Sequence, residues 1–222
     1  MEPNRSDAGI GPLPMRRAGV TAFDPIDFQI PRLAWPTQSQ TLFSDPARYI
    51  ARTRANTAYG KPGWTRDCGR RFHRGLDIAP ARARPTGNLI EVRFSDCATG
   101  LEYPSKEIEL IPEDLVFAVL DGTVAVCNED PDRSDFGLYV VLTHEIGSRF
   151  IHTLYAHLAD IRVREGASVM AGTTLGAMGR TGRSADARAW MAIAPHLHFE
   201  VISAGGGAHD PLEFLTRGLQ TL

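Results

Sequence analysis

From Gly60 onward the chain is a succession of short runs rich in Val, Ile, Phe and Tyr, cut by Gly, Pro, Asp and Asn. That pattern constrains the fold more than any other feature, because such runs suit a pleated, half-buried surface. Strand-like stretches recur at 89–94, 108–111, 116–120, 122–127, 139–144, 150–157 and 197–202. No long amphipathic helical pattern competes with them. One short helix is expected late, over Pro211 to Arg217. The expectation is a mostly β, antiparallel domain, a sandwich or partly open barrel.

Residues 1–59 read differently. The first 48 or so are rich in Pro, Asp and polar residues without sustained periodicity, an irregular arm. Phe23, Phe28, Ile30, Leu33, Trp35 and Phe43 are too many large apolar groups for a free tail, so its later part should pack along the domain surface. A short helix is expected from Pro46 to Thr57, with Asp45 as its cap and Pro46 at the first position.

The formal net charge of −2 gives no electrostatic case for nucleic acid or an anionic membrane. No stretch approaches the ~18 apolar residues of a membrane span, and the N-terminal residues show no apolar h-region or signal-peptide pattern. Cys68, Cys97 and Cys127 form no C-x-x-C, and an odd number is no disulfide framework. One bridge plus a free thiol, or three reduced thiols, are both compatible with this spacing. The acidic run Asn128 to Asp135 lacks the ligand spacing of a calcium loop and reads as a solvated hairpin loop.

Two short segments carry the chemistry. His73-Arg74-Gly75-Leu76-Asp77 offers an imidazole and a carboxylate, and Pro195-His196-Leu197-His198-Phe199-Glu200 offers two imidazoles. On a strand, residues i and i+2 project to one face. His196 and His198 therefore look one way, with Leu197 and Phe199 facing the core. If the first segment is extended, His73, Gly75 and Asp77 also share a face, and Gly75 leaves space between the ligands. A catalytic zinc site takes three protein ligands and an open position. His73, Asp77 and one of the later pair supply a His-His-carboxylate set. The other of the pair and His157, in Leu154-Tyr155-Ala156-His157-Leu158, remain as imidazoles able to move protons or steady an oxyanion. His144, His152 and His209 read as satisfied structural histidines.

These segments sit among others that together resemble the M23 zinc metallopeptidases, the lysostaphin and LytM-type cell-wall endopeptidases. Phe72 to Ala79 is similar to that family's H-x-x-x-D segment, and Ala118 to Val124 to its A-x-x-D-G-x-V strand and turn. Tyr155 to Leu158 resembles Y-x-H-L, and Val163 to Thr173 resembles V-x-x-G-x-x-V-x-x-G-x. Gly179 to Ser184 resembles G-x-T-G-x-S, and Pro195 to Val201 resembles P-H-L-H-F-E-V. The resemblance implies a zinc peptidase domain over 60–222, with His73, Asp77 and His198 as zinc ligands and His157 and His196 as catalytic imidazoles. It implies hydrolysis of peptide bonds in bacterial peptidoglycan and an extracytoplasmic location, although no export signal is visible.

The chain departs from that pattern in two places. About thirty extra residues, Arg82 to Leu115, precede the A-x-x-D-G strand and are expected to form an inserted β-hairpin. A second insertion separates Ser184 from Pro195, and its Trp190 and Met191 are expected to line or overhang the groove. The rival to an enzyme is a non-hydrolytic module that binds cell wall or regulates another cell-wall hydrolase; the five filled positions argue against it. A lipoyl or biotinyl carrier hairpin needs a Lys at its turn, and no Lys follows Lys106. No motif encodes the particular bond cleaved or an oligomeric state.

Overall fold

A computed structural model describes residues 19–38, 60–95, 99, 101–182 and 195–219. The chain is mostly β and its sheets are antiparallel. β1 (Gly63–Arg66) pairs with β2 (Arg71–His73) in a small hairpin, and β3 (Leu76–Ile78) follows at once. β4 (Ala83–Ser95) and β5 (Glu102–Pro112) form a separate two-stranded ribbon, which accounts for the extra residues between 82 and 115. The main sheet is built from β6 (Leu115–Phe117), β7 (Gly122–Asn128), β8 (Leu138–Ile146), β9 (Arg149–Ile161), β10 (Ser168–Val169) and β11 (Thr174–Met178). Its order is β10-β7-β8-β9-β11-β6, an open path.

β12 (Leu197–Ser203) lies between β3 and β9 and also pairs with β13 (Ala208–His209). Its register is the feature that matters most for function. His198 stands opposite Asp77 on one side and Ala156 on the other. Directly opposed residues share a face, so His198 and Asp77 meet on the site side. Leu197, Phe199 and Val201 face the other way and join Leu76, Ile78, Tyr155 and Leu158 in the core. Burying one such side chain stabilises the fold by about 1.5–3 kcal/mol. Slipping β12 by one residue would turn the imidazole into that core.

β8 and β9 close through Gly147-Ser148, with Ile146 opposite Arg149 and Gly147 at φ 62°. A two-residue hairpin turn needs that left-handed conformation, and glycine adopts it without strain. The acidic run expected to be a loop connects β7 to β8, where Asn128 Nδ2 donates to the carbonyls of Asp130 and Gly137, both at 2.7 Å.

The arm is integrated more deeply than surface packing. Ile26, Ile30, Leu33 and Trp35 are buried within the main core. Ala34 N–H donates to Val119 O and Phe117 N–H to Pro36 O, each at 2.9 Å, and Thr37 bridges to Val116. The apolar spacing of the arm, too irregular for a helix or strand, suits a chain laid in extended form across the β6 region. Helix α1 (Pro211–Leu219) runs two residues beyond its expected end. Asp210 Oδ1 accepts from Leu212 N and Glu213 N at 2.8 and 3.2 Å, an N-cap ahead of Pro211. The helix expected at Pro46–Thr57, Phe43, and the segment with Trp190 and Met191 lie outside the described residues.

Cys68 is disulfide-bonded and Cys127 is a free thiol. Among the described residues no helix is long and apolar enough to cross a membrane.

Candidate active site

Three buried side chains from three strands meet at one point. His73 ends β2, Asp77 is the middle residue of β3, and His198 lies in β12. Their ligand atoms all lie within 4.8 Å of one another. His198 Nδ1 is 2.9 Å and His73 Nε2 3.2 Å from Asp77 Oδ1, and the two ring nitrogens are 3.3 Å apart. The strand between His73 and Asp77 is broken at Arg74-Gly75, because β2 pairs with β1 and β3 with β12. The break still returns both groups to one side. Gly75 lies directly against the His198 ring: a Cβ there would come within 2.4 Å of Cε1.

The outward nitrogen of each imidazole is held. His73 Nδ1–H donates to the Lys61 carbonyl at 2.8 Å, which leaves Nε2 facing Asp77. His198 Nε2 is 2.9 Å from Glu200 Oε1, which leaves Nδ1 facing the same point. Glu200 is fully buried, and Arg74 Nε lies 3.7 Å from its other oxygen, while Arg74 Nη2 donates to the carbonyls of Gly206 and Gly207. Burial lowers His73 despite the neighbouring Asp77 carboxylate. For His198, burial alone would do the same, but hydrogen bonds to Asp77 and Glu200 raise it above its ordinary value. Burial alone would raise Asp77, yet the surrounding imidazoles of His196, His73 and His198 hold it well below the usual carboxylate range. The centre is therefore an ionised carboxylate with two ring nitrogens turned toward it.

Two more imidazoles border it. The rings of His157 and His196 have centroids 4.7 Å apart, and His157 is 5.8 Å from His198. His196 Nε2 lies 3.7 Å from Asp77 Oδ2. Both residues are placed by the Gly179–Gly182 loop. His196 N–H donates to Gly179 O at 3.2 Å, and His157 Nδ1–H donates to Thr181 O at 2.6 Å. Thr181 Oγ1 in turn donates to Leu158 O and accepts from Leu138 N. His157 sits at φ 62°, where β9 shifts register against β11 and β8. A non-glycine residue in that conformation is strained, and such strain is characteristic of functional positions. Burial, with the charges of His196 and His198, pushes His157 down to about 3. It is neutral near neutral pH, with Nδ1 protonated by its bond to Thr181 and an Nε2 lone pair free to accept a proton.

All five histidine and aspartate positions singled out from the sequence thus lie in one cluster. His144, His152 and His209 lie elsewhere, bonded to Asp121 O and Thr153 Oγ1, to Thr143 Oγ1, and to Asp24 O. Sequence reasoning overlooked Glu200, although its position two residues after His198 on one strand was the signal. It also overlooked Arg66. Arg66 Nη2 is 2.9 Å from His73 Nε2 and ion-paired with Asp77 Oδ2. Phe136 packs its ring 5.4 Å from His198.

A three-donor set of two imidazoles and a carboxylate can hold a divalent transition metal, and imidazoles beside it can transfer protons. Residues 105–211 match the model of peptidase family M23. That span contains His157, His196 and His198; His73 and Asp77 precede it. No curated protein matches the chain. Solved structures similar to it include the catalytic domain of lysostaphin from Staphylococcus simulans, at 20% identity over 80% of this chain and 97% of that one, with a TM-score of 0.44. A Pseudomonas aeruginosa protein described as a peptidase M23 is 25% identical over 65% of this chain and 44% of its own, with a TM-score of 0.38. A zinc containing peptidase from Vibrio cholerae is 25% identical over 61% of this chain and 36% of its own, with a TM-score of 0.36. The chain thus spans less than half the length of the last two. The family match falls on the strands and loop that carry three of the clustered histidines, and residues 105–211 are the part of the chain similar to peptidase family M23.

Proposed function

We propose that the chain is a zinc-dependent endopeptidase that hydrolyses peptide bonds in bacterial peptidoglycan. One observation carries this reading: two imidazoles outside a buried His-Asp-His set converge on the same point as that set. The residues fit zinc. The donors are two imidazoles and one carboxylate, a combination suited to that metal. Both rings are oriented from behind, and Gly75, lacking a side chain, gives the His198 ring its room. His73 Nε2, Asp77 and His198 Nδ1 would hold the ion, and bound zinc would supply a Lewis acid beside the scissile carbonyl.

The other residues do the proton work. His157 Nε2, neutral and aimed inward by Thr181, accepts the proton of the attacking water and returns it to the leaving amine. His196, whose ring packs against His157, donates to the oxygen that becomes negative in the tetrahedral state. Retention of both imidazoles favours this reading over a non-hydrolytic M23-like module.

The test is zinc content after dialysis together with release of new amino groups from purified peptidoglycan, for wild type and His157→Ala. The expected result is one zinc per chain in both proteins and activity in wild type only. A wild type that binds no zinc, or a fully active His157→Ala, would overturn the mechanism.

A further inference from the structure

The guanidinium of Arg66 reaches two of the three side chains that make up the His73–Asp77–His198 set. Its Nη2 lies 2.9 Å from His73 Nε2 and is ion-paired with Asp77 Oδ2, so it donates to lone pairs that the metal reading requires as ligands. A metal and a guanidinium cannot use the same lone pairs at once. Arg66 is buried, as are both of its partners.

The local backbone directs this side chain inward. β1 and β2 are in register at Trp64 and Phe72, then shift so that Arg66 faces Arg71. The extra residue is Thr65, and a bulge of this kind re-aims the side chain beside it. Three consecutive residues then adopt left-handed conformations: Asp67 at φ 49°, Cys68 at φ 60° and Gly69 at φ 85°. Two of them are not glycine, so the turn is held against its local preference, and Cys68 is disulfide-bonded. From outside, Phe72 packs on Trp64 and on Phe23 of the arm, with ring centroids 5.7 and 4.8 Å away. The hairpin is thus fixed at its turn and on its outer face, with Arg66 aimed at the centre.

We propose that Arg66 is the resident cation of the His73–Asp77–His198 set, and that metal loading is an exchange in which the Arg66 side chain gives up this contact while the hairpin backbone stays in place. The inference rests on the zinc reading above. In the metal-free protein Arg66 adds a full positive charge to the imidazoles that surround the buried Asp77 carboxylate. The same contact lowers metal affinity, because only the fraction of molecules with Arg66 withdrawn can bind.

The experiment compares zinc dissociation constants, measured by competition with a chromophoric chelator, and metal-free melting temperatures of wild type, Arg66→Met and Arg66→Lys. Arg66→Met keeps the apolar stem and removes the charge. It is expected to bind zinc at least about tenfold more tightly and to melt lower without metal; Arg66→Lys should fall between. In wild type, the guanidinium NMR signals of Arg66 should shift when zinc is added, which tests the exchange even if a variant misfolds. Zinc binding by Arg66→Met no tighter than wild type, or Arg66 signals that ignore zinc, would overturn the exchange and leave the zinc site standing. Zinc binding by none of the three proteins would overturn both.

Discussion

His198 Nε2 lies 2.9 Å from Oε1 of Glu200, two residues further along the same strand. The pair is buried, and Arg74 flanks the far side of the carboxylate. The bond holds the imidazole so that Nδ1, not Nε2, faces Asp77. A carboxylate behind a ligating histidine fixes its orientation and raises its basicity. Glu200→Gln keeps the shape and removes the charge, and is expected to weaken zinc binding roughly 10- to 100-fold. Chelator competition measures it; an unchanged dissociation constant would show that Glu200 serves packing alone.

Gly75→Ala tests the seat of the His198 ring. Its Cβ would lie 2.4 Å from His198 Cε1 and 2.7 Å from Nε2. The ring cannot retreat without leaving Glu200 or Asp77. The variant is expected to lose bound zinc and about 1–3 kcal/mol of stability, read by metal analysis and urea unfolding. Retention of a full zinc complement would mean that the β2–β3 break is softer than its packing indicates.

Gly137→Ala should separate metal binding from proton transfer. Gly137 is at φ 60°, and a Cβ there would lie 2.3 Å from the Thr181 carbonyl carbon. Thr181 O is the acceptor that orients His157. Displacing it misaligns the imidazole while leaving His73, Asp77 and His198 untouched. Zinc content should stay that of wild type while peptidoglycan hydrolysis falls by about 10²-fold or more, the scale of a lost general base. A variant with wild-type kcat would show that Thr181 does not position His157.

Much of this centre was legible because short-range rules govern it. The period of two along Leu197–Glu200 placed His198 on one face and Phe199 in the core, as observed. The glycine at 75 was read as leaving space between the ligands; that space is taken by the ring of His198 itself. The extended reading of 73–77 was too regular: β2 and β3 take different partner strands, a long-range choice that five residues do not encode. Arg66 was illegible for a similar reason. Its contact with Asp77 spans eleven residues and depends on a bulge and a left-handed turn. The depth of the arm was underestimated because its apolar residues, Ile26, Ile30, Leu33 and Trp35, fill a core surface that only the finished sheet creates.

Away from the centre, His144 should make the fold acid-sensitive. It is buried, with Nδ1 2.8 Å from Asp121 O and Nε2 2.7 Å from Thr153 Oγ1. A carbonyl only accepts, so Nδ1 carries the proton and the unprotonated Nε2 faces the threonine oxygen. Protonating Nε2 would bury a charge there, and burial pushes His144 from 6.5 down to about 4. The unfolded chain therefore binds the proton first. Its contribution to stability is complete above the unfolded value of 6.5 and is lost progressively as pH falls toward about 4. Each unit within that window is worth about 1.4 kcal/mol. Between about pH 7 and about pH 5, metal-free wild type should lose roughly 2 kcal/mol more than His144→Asn, measured by urea unfolding. The comparison cancels the other histidines, which titrate in both proteins. Parallel pH profiles for the two would show that His144 folds as readily charged as neutral.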